Sequence, residues 1–254
     1  SGANLSQADL SAANLNQASL QGANLQGANL HGADLSSADL SQADLSGADL
    51  GQATLRLASF QGADLRGADL QGAEMRMPNL RGASIDETTL MDGKWRLAWV
   101  LVNIGTAGKE LQGVDLSKTD LADIDLRGHD LRGANLVDAW LYGADLWGAD
   151  LAEAQLKIAT LDAADLTEAD LRGAAMESTS LEGARLEGAI LAGAYLLKAD
   201  LREATLVGAD LSQADLSNAN LGQADLSAAD LSGAVLQRAK LHGAILDEET
   251  QIDS

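Results

Sequence analysis

The side chains of this 254-residue chain that could do chemistry are three histidines, 38 acidic residues and many serines. His31, His129 and His242 lie far apart, and no His/Asp/Glu group has the spacing of a metal site. Asp recurs at a fixed interval, and a column of stacked carboxylates could in principle hold calcium. Calcium-binding β-helices, however, use a glycine-rich nonapeptide, G-G-x-G-x-D, which is missing here. Serines such as Ser41, Ser46, Ser212 and Ser217 are not set in a G-x-S-x-G elbow. Neither a phosphate loop nor a dinucleotide fingerprint is present. There is no cysteine, so no disulfide or thiolate metal site can form, and the redox compartment stays open. The sequence therefore predicts no catalytic residue, no metal site and no cofactor, and a protein that is not an enzyme.

What positions these residues is a period of five. From Leu111 to Leu246, Leu (once Met176) returns every fifth residue for 28 repeats. From Leu5 to Leu90 the same position falls on every multiple of five, with Phe60, Met75 and Ile85 as variants. Ala precedes it by two residues, from Ala3 to Ala73, then Pro78, Ala83 and Thr88. A helix cannot hold this stripe, because five residues advance it by about 140° past a full turn. Strict strand alternation fails because five is odd. A short extended piece followed by a turn does fit. Ala and Leu point inward, Asp or Asn supports the bend, and the variable pair lies outward. Gly in the second variable position, as at Gly47 and Gly62, suits a corner that needs an unusual dihedral.

These units resemble the pentapeptide-repeat family, A(D/N)LXX, over about nine tenths of the chain. The resemblance implies an all-β fold, a right-handed quadrilateral parallel β-helix with four repeats per coil. Eighteen repeats, Leu5 to Leu90, would then give about four and a half coils and roughly 22 Å; 28 repeats would give seven coils and roughly 34 Å.

Two stretches are expected, because the phase breaks between Leu90 and Leu111. Trp95, Ala98, Trp99 and Val102 follow the i, i+3, i+4, i+7 stripe of an amphipathic helix. The spacing predicts a helix over 93–104, begun by Asp92 and ended by Gly105. In the first coil after the break the inward Ala positions become Val114, Thr119, Ile124 and His129, the larger residues of an end coil. The predicted division is 1–90, first β-helix; 91–110, Trp-containing helix and loop, capping one or both open ends; 111–246, second β-helix; 247–254, an end segment. The words Ile85-Asp-Glu-Thr-Thr-Leu-Met-Asp92 return nearly unchanged as Leu246-Asp-Glu-Glu-Thr-Gln-Ile-Asp253. This echo, and a start at Ser1 already in phase, predict a fragment of a longer protein, continued beyond Ser254 by another helix.

The formal charge is −21, yet 20 of the 38 acids are Asp in the slot before the central Leu. Asn takes the same slot at Asn4, Asn14, Asn24, Asn29, Asn135 and Asn220. Both side chains bond nearby backbone amides in turns, so the acidity belongs to the turn chemistry of the repeat. Arg66, Arg127, Arg132, Arg172 and Arg202 are spaced to neutralise neighbouring Asp columns and do not form a nucleic-acid groove. Direct nucleic-acid binding is not expected. Trp140, Tyr142 and Trp147 are outward aromatics, suited to hold a protein partner or to receive the helix of Trp95, Trp99 and Val102. No apolar run approaches the roughly 20 residues of a membrane span, and no secretory signal is visible, which favours the cytoplasm. The expected role is a non-catalytic scaffold or protein-interaction module with an unidentified protein partner. The alternative implied by the resemblance is mimicry of DNA toward DNA gyrase or another topoisomerase, as in some members of the family.

Overall fold

The computed structural model describes residues 2–252; Ser1, Asp253 and Ser254, at the two ends of the predicted division and of the echo, lie outside the described residues. Each five-residue unit makes one side of a coil. The turn is closed by a backbone bond such as Ala8 N–H to Leu5 O at 3.1 Å or Ala149 N–H to Leu146 O at 3.0 Å. Its third residue has positive φ, as at Gly47 (66°) and Gln42 (58°), the mark of a type II turn. Glycine adopts this at no steric cost; Ile158, β-branched and at φ 54°, is held there under strain.

Successive coils are joined by parallel bridges between residues 20 apart, for example Asn24↔Asp44↔Asp64 and Asp125↔Asp145↔Asp165. Twenty residues are four units, so each coil has four sides. The ladder is regular: the central Leu N–H donates down to the next coil, and the bridge residue's N–H donates back to the Ala carbonyl. Ala and Leu fill the tube and are almost all fully buried, with Phe60 and Met176 in Leu positions. Where Thr replaces Ala inside, its hydroxyl is satisfied by a carbonyl: Thr119 Oγ1 to Leu116 O at 2.5 Å and Thr179 Oγ1 to Leu156 O at 2.8 Å.

The chain divides into two compact units, Ser1–Gly105 and Thr106–Ser254, so the division falls within the predicted junction 91–110. Unit 1 ends with one helix, α1, Gly93–Asn103. Asp92 stands at the N-cap but makes no side-chain capping bond, contrary to its predicted role. Gly105, at φ 112°, ends the helix through its N–H on Val100 O at 3.1 Å. The buried face is Trp95, Ala98 and Leu101; Trp99 and Val102 flank it half-buried.

The phase slips before Leu90 and not after it. Asp69 bridges Leu90, 21 residues on, and Leu90 is exposed. Thr89 takes the inward slot at 1% exposure, and Met91 packs against the core. The last unit thus holds six residues, an insertion hidden by a Leu that happens to sit on the expected multiple of five. Unit 2 closes the same way, with Asp230 bridging Gln251. Its opening coil has Thr119 and Ile124 buried and Val114 and His129 half-buried.

Candidate interaction surfaces

The Asp slot does what the charge analysis expects. One carboxylate oxygen accepts the N–H two residues ahead: Asp49 from Gly51 at 2.8 Å, Asp44 from Ser46 at 2.9 Å, Asp215 from Ser217 at 2.9 Å. Hydrogen bonds to the ionised form hold many of these carboxyls below the usual range. In Asp34 and Asp39 the Ser36 and Ser41 hydroxyls lead this effect, and the amides of the same serines follow. The Arg127 guanidinium brings Asp125 to about 2, and Arg132 does the same for Asp130. Arg127 also reaches Asp145 at 3.3 Å, and Arg132 reaches Asp150 at 3.5 Å, so each Arg spans two rungs of a column. Arg202 bridges Asp200 at 2.8 Å and Glu182 at 2.5 Å. Exposed pairs of this kind add little stability, but each Arg lowers the negative charge of its two carboxylates by one. Among the described residues no group of three or more His, Asp or Glu side chains converges in a way that could hold a metal ion.

The histidines stay apart. His31 Nδ1 lies 3.5 Å from Asp49. His129 has Nδ1 3.1 Å from Arg127 O and Nε2 3.1 Å from Thr106 O, so it ties the opening loop of unit 2 to its first coil; Thr106 Oγ1 adds a bond to Asp125 O at 2.8 Å. His242 lies on the last full coil, beside Arg202, Asn220 and Lys240 in a shallow depression.

The outward aromatics of unit 2 lie in three places, one of them Tyr195, exposed in the column between Ala175 and Asp215. Trp140 and Tyr142 stack, with ring centroids 6.2 Å apart and planes at 20°. Both are exposed, and Ile158, also exposed, stands two residues before Trp140's bridge partner Thr160. Trp147 is exposed on a different wall, where it lines an open depression with Asp125, Arg127 and His129.

In unit 1 the aromatics of α1 reach the last coil. Trp95 joins the core, and Lys94 Nζ sits 4.8 Å over its ring. Trp99 Nε1 donates to Ala83 O at 2.7 Å. Asn103, one turn on, donates to Leu80 O at 3.0 Å and accepts from Gly82 N–H at 2.6 Å. Arg96 donates to Thr89 O at 2.5 Å. Sequence reasoning passed over Leu101, Arg96 and Asn103. The i, i+4 spacing of Trp99 and Asn103 was the available signal for the last, because it places two donors on one face.

The model of pentapeptide repeats matches this chain in eight copies, over residues 3–42, 38–76, 110–148, 141–183, 179–218 and 209–247. No curated protein sequence matches. Among solved structures, the chain is similar to HetL from the cyanobacterium Nostoc sp. strain PCC 7120, a pentapeptide repeat protein involved in heterocyst differentiation regulation. Identity is 30%, over 99% of this chain and 92% of HetL, with a TM-score of 0.36. It is also similar to a pentapeptide repeat protein of the Arabidopsis thaliana thylakoid lumen, at 30% identity over 42% of this chain and 73% of that one, TM-score 0.24. QnrB1, a plasmid-mediated fluoroquinolone resistance protein, is 17% identical over 97% of this chain and 92% of its own, TM-score 0.23. With the repeat matched over most of its length and its five-residue units stacked by parallel bridges, the chain belongs to the pentapeptide-repeat family.

Proposed function

We propose that the protein is a non-catalytic scaffold that holds a protein partner against the walls of unit 2, with the Trp140–Tyr142 stack as the contact site. The observation that carries this is the pair itself. Two exposed aromatics stack on each other, and exposed Ile158 stands on the next coil, two residues before the bridge partner of Trp140. Aromatic anchors of this type dominate binding where they become desolvated. Trp147, on its own wall with Arg127, is a secondary contact. The coils are right-handed on this reading, as the family resemblance implies. Residues 91–105, with Trp95, Trp99 and Val102, act as the cap of unit 1, and 111–246 form the presenting surface.

The test is affinity capture from the source organism's extract with the wild-type chain and with the double variant Trp140→Ser/Tyr142→Ser. Both side chains point outward, so melting should not change. Loss of the captured partner in the variant supports the reading; equal capture with both chains contradicts it.

A second reading, DNA mimicry toward gyrase, draws on the charge of −21. Against it, Arg127, Arg132 and Arg202 each place a cation between two carboxylates and interrupt the acidic surface at three points. A supercoiling assay separates the two: inhibition by the chain at about micromolar concentration, an affinity worth roughly 8 kcal/mol, would favour mimicry, and no effect would leave the scaffold.

A further inference from the structure

One wall of unit 2 differs from the other three in how it carries charge. It is the wall whose bridge column runs Gln155↔Ala175↔Tyr195↔Asp215. On the other three walls Arg127, Arg132, Arg172, Arg185 and Arg202 each hold at least one carboxylate. On this wall the charges alternate from coil to coil, as Lys157, Glu177, Lys198 and Asp215, and sum to zero. Among the described residues none of the four makes an ion pair, although Lys157 and Glu177 stand one coil apart in the same column. Glu177 Oε2 is shut off from water and has no hydrogen-bond partner. The adjoining wall over the same coils carries Asp162, Glu182, Asp200 and Glu203 against Arg202.

The apolar side chains of this wall are patterned too. Among the described residues Tyr195 is the most exposed large apolar side chain of unit 2, at 55%, and half-buried Leu197 shares its rung. The preceding rung of the same column holds only the methyl group of Ala175. A projecting ring therefore stands beside a recess, one coil or about 4.8 Å away.

We propose that this wall binds a second copy of the chain, antiparallel, about a two-fold axis that lies across the wall between the rungs of Ala175 and Tyr195. Rotation about that axis exchanges these two rungs, exchanges the rungs of Gln155 and Asp215, and leaves each column facing itself. Tyr195 of each copy then covers Ala175 of the other. Lys198 meets Glu177, whose carboxylate, turned outward, gains the donor it lacks. Lys157 meets Asp215 across a lateral offset that its flexible four-carbon stem spans. Each contact occurs twice, as in the isologous interfaces that close at two copies. Charge specifies the occupant. With a formal charge of −21, two copies repel through walls where acids are in excess. An alternating series of even length is complementary to its own reverse, whereas parallel stacking on this wall would set Lys157 against Lys157. The wall adjoins that of Trp140 and Tyr142 and includes neither, so either proposal can fail alone.

Light scattering on the full chain over about 5 to 200 micromolar should show a reversible dimer, because a contact of this size is weak. Tyr195→Asp and Lys198→Glu, both at exposed positions, should leave melting unchanged and weaken the dimer at least about tenfold. Glu177→Lys combined with Lys198→Glu restores the same pairs with their signs reversed and should bring the dimer back to within about threefold of wild type. Trp140→Ser/Tyr142→Ser should leave it unchanged. A monomer throughout the range overturns the proposal, and so does a dimer indifferent to both Tyr195→Asp and Lys198→Glu. Failure of the charge swap to rescue, in a chain that melts as wild type does, overturns the antiparallel pairing. Loss of the dimer in Trp140→Ser/Tyr142→Ser would assign the contact to the neighbouring wall and overturn the proposal as well.

Discussion

The closing coils of the two units share a sequence, a six-residue last unit and an Asp–Thr lock; among the described residues a helix, α1, lies on the first alone. In the lock, Oδ1 of Asp86 or Asp247 accepts backbone amides, and Thr89 or Thr250 donates to the Leu65 or Leu226 carbonyl. In unit 1 the helix removes the last core layer from water, with Leu80 and Ala83 each 3% exposed. Stacked repeats gain stability from neighbours on both sides, so an end layer has half the support of a middle one. A helix supplies the missing half with apolar area, with a donor for the Ala83 carbonyl and with an acceptor for the Gly82 N–H, groups of the kind that a further coil engages elsewhere in the tube.

The most damaging change to this contrast should be Trp95→Ala. The side chain is buried and joins the unit 1 core, so its loss should cost about 3–5 kcal/mol of unit 1 stability by denaturant unfolding. Unchanged unfolding would mean that α1 contributes nothing to the edge. Next, Leu80→Ala should cost about 2–4 kcal/mol, whereas Leu241→Ala should cost about 1 kcal/mol or less, because Leu241 is already partly in water. Equal costs would erase the distinction between the edges. Thr89→Val should cost about 1–2 kcal/mol by removing a buried hydroxyl bonded to Leu65 O. Thr250→Val should cost less, since Thr250 is only half-buried. Away from both ends, Ile158→Gly should raise stability by about 1 kcal/mol, since it frees a β-branched residue from positive φ.

Acid gives the smallest difference between the two ends, because both locks titrate. Asp86 is lowered to about 2, chiefly by the Thr88 hydroxyl, and Asp247 is lowered chiefly by the Ala228 amide. A carboxyl with its folded pKa below its unfolded one leaves the unfolded chain holding more protons as pH falls. Its contribution is complete above the unfolded value, near 4, and is lost as pH drops toward 2. At 0.15 M salt, where repulsion among the exposed acids is screened, melting temperature should be flat above about pH 5 and fall steadily below pH 4. A rise on acidification would show that repulsion outweighs the turn bonds.

Much of this was legible in the residues. The period of five specified the coil, and Asp alternating with Asn in one slot specified the turn bond. Trp95 and Ala98 marked the face of α1. The slip at Leu90 was hidden because Leu90 kept the expected phase while Thr89 took the inward place, and a small polar residue inside a tube of Ala gives no warning in composition. Asp92 looked like a cap from its position, but capping needs a side-chain rotamer that sequence does not report. The echo between 85–92 and 246–253 was visible as words. That it encodes a shared set of bonds to Gly67 and Ala228, one coil away in sequence, needed the stacking register.

The account rests most directly on cover, and amide hydrogen exchange at two residues measures it. Ala83 N–H and Ala244 N–H make the same turn bond, at 3.2 Å to Leu80 O and 3.1 Å to Leu241 O, so a difference between them reports the helix and not the bond. Ala83 should exchange at least about tenfold more slowly than Ala244, and the gap should close in Trp95→Ala. Equal protection of the two amides in the wild-type chain would contradict the claim that α1 is what separates the closed edge from the open one.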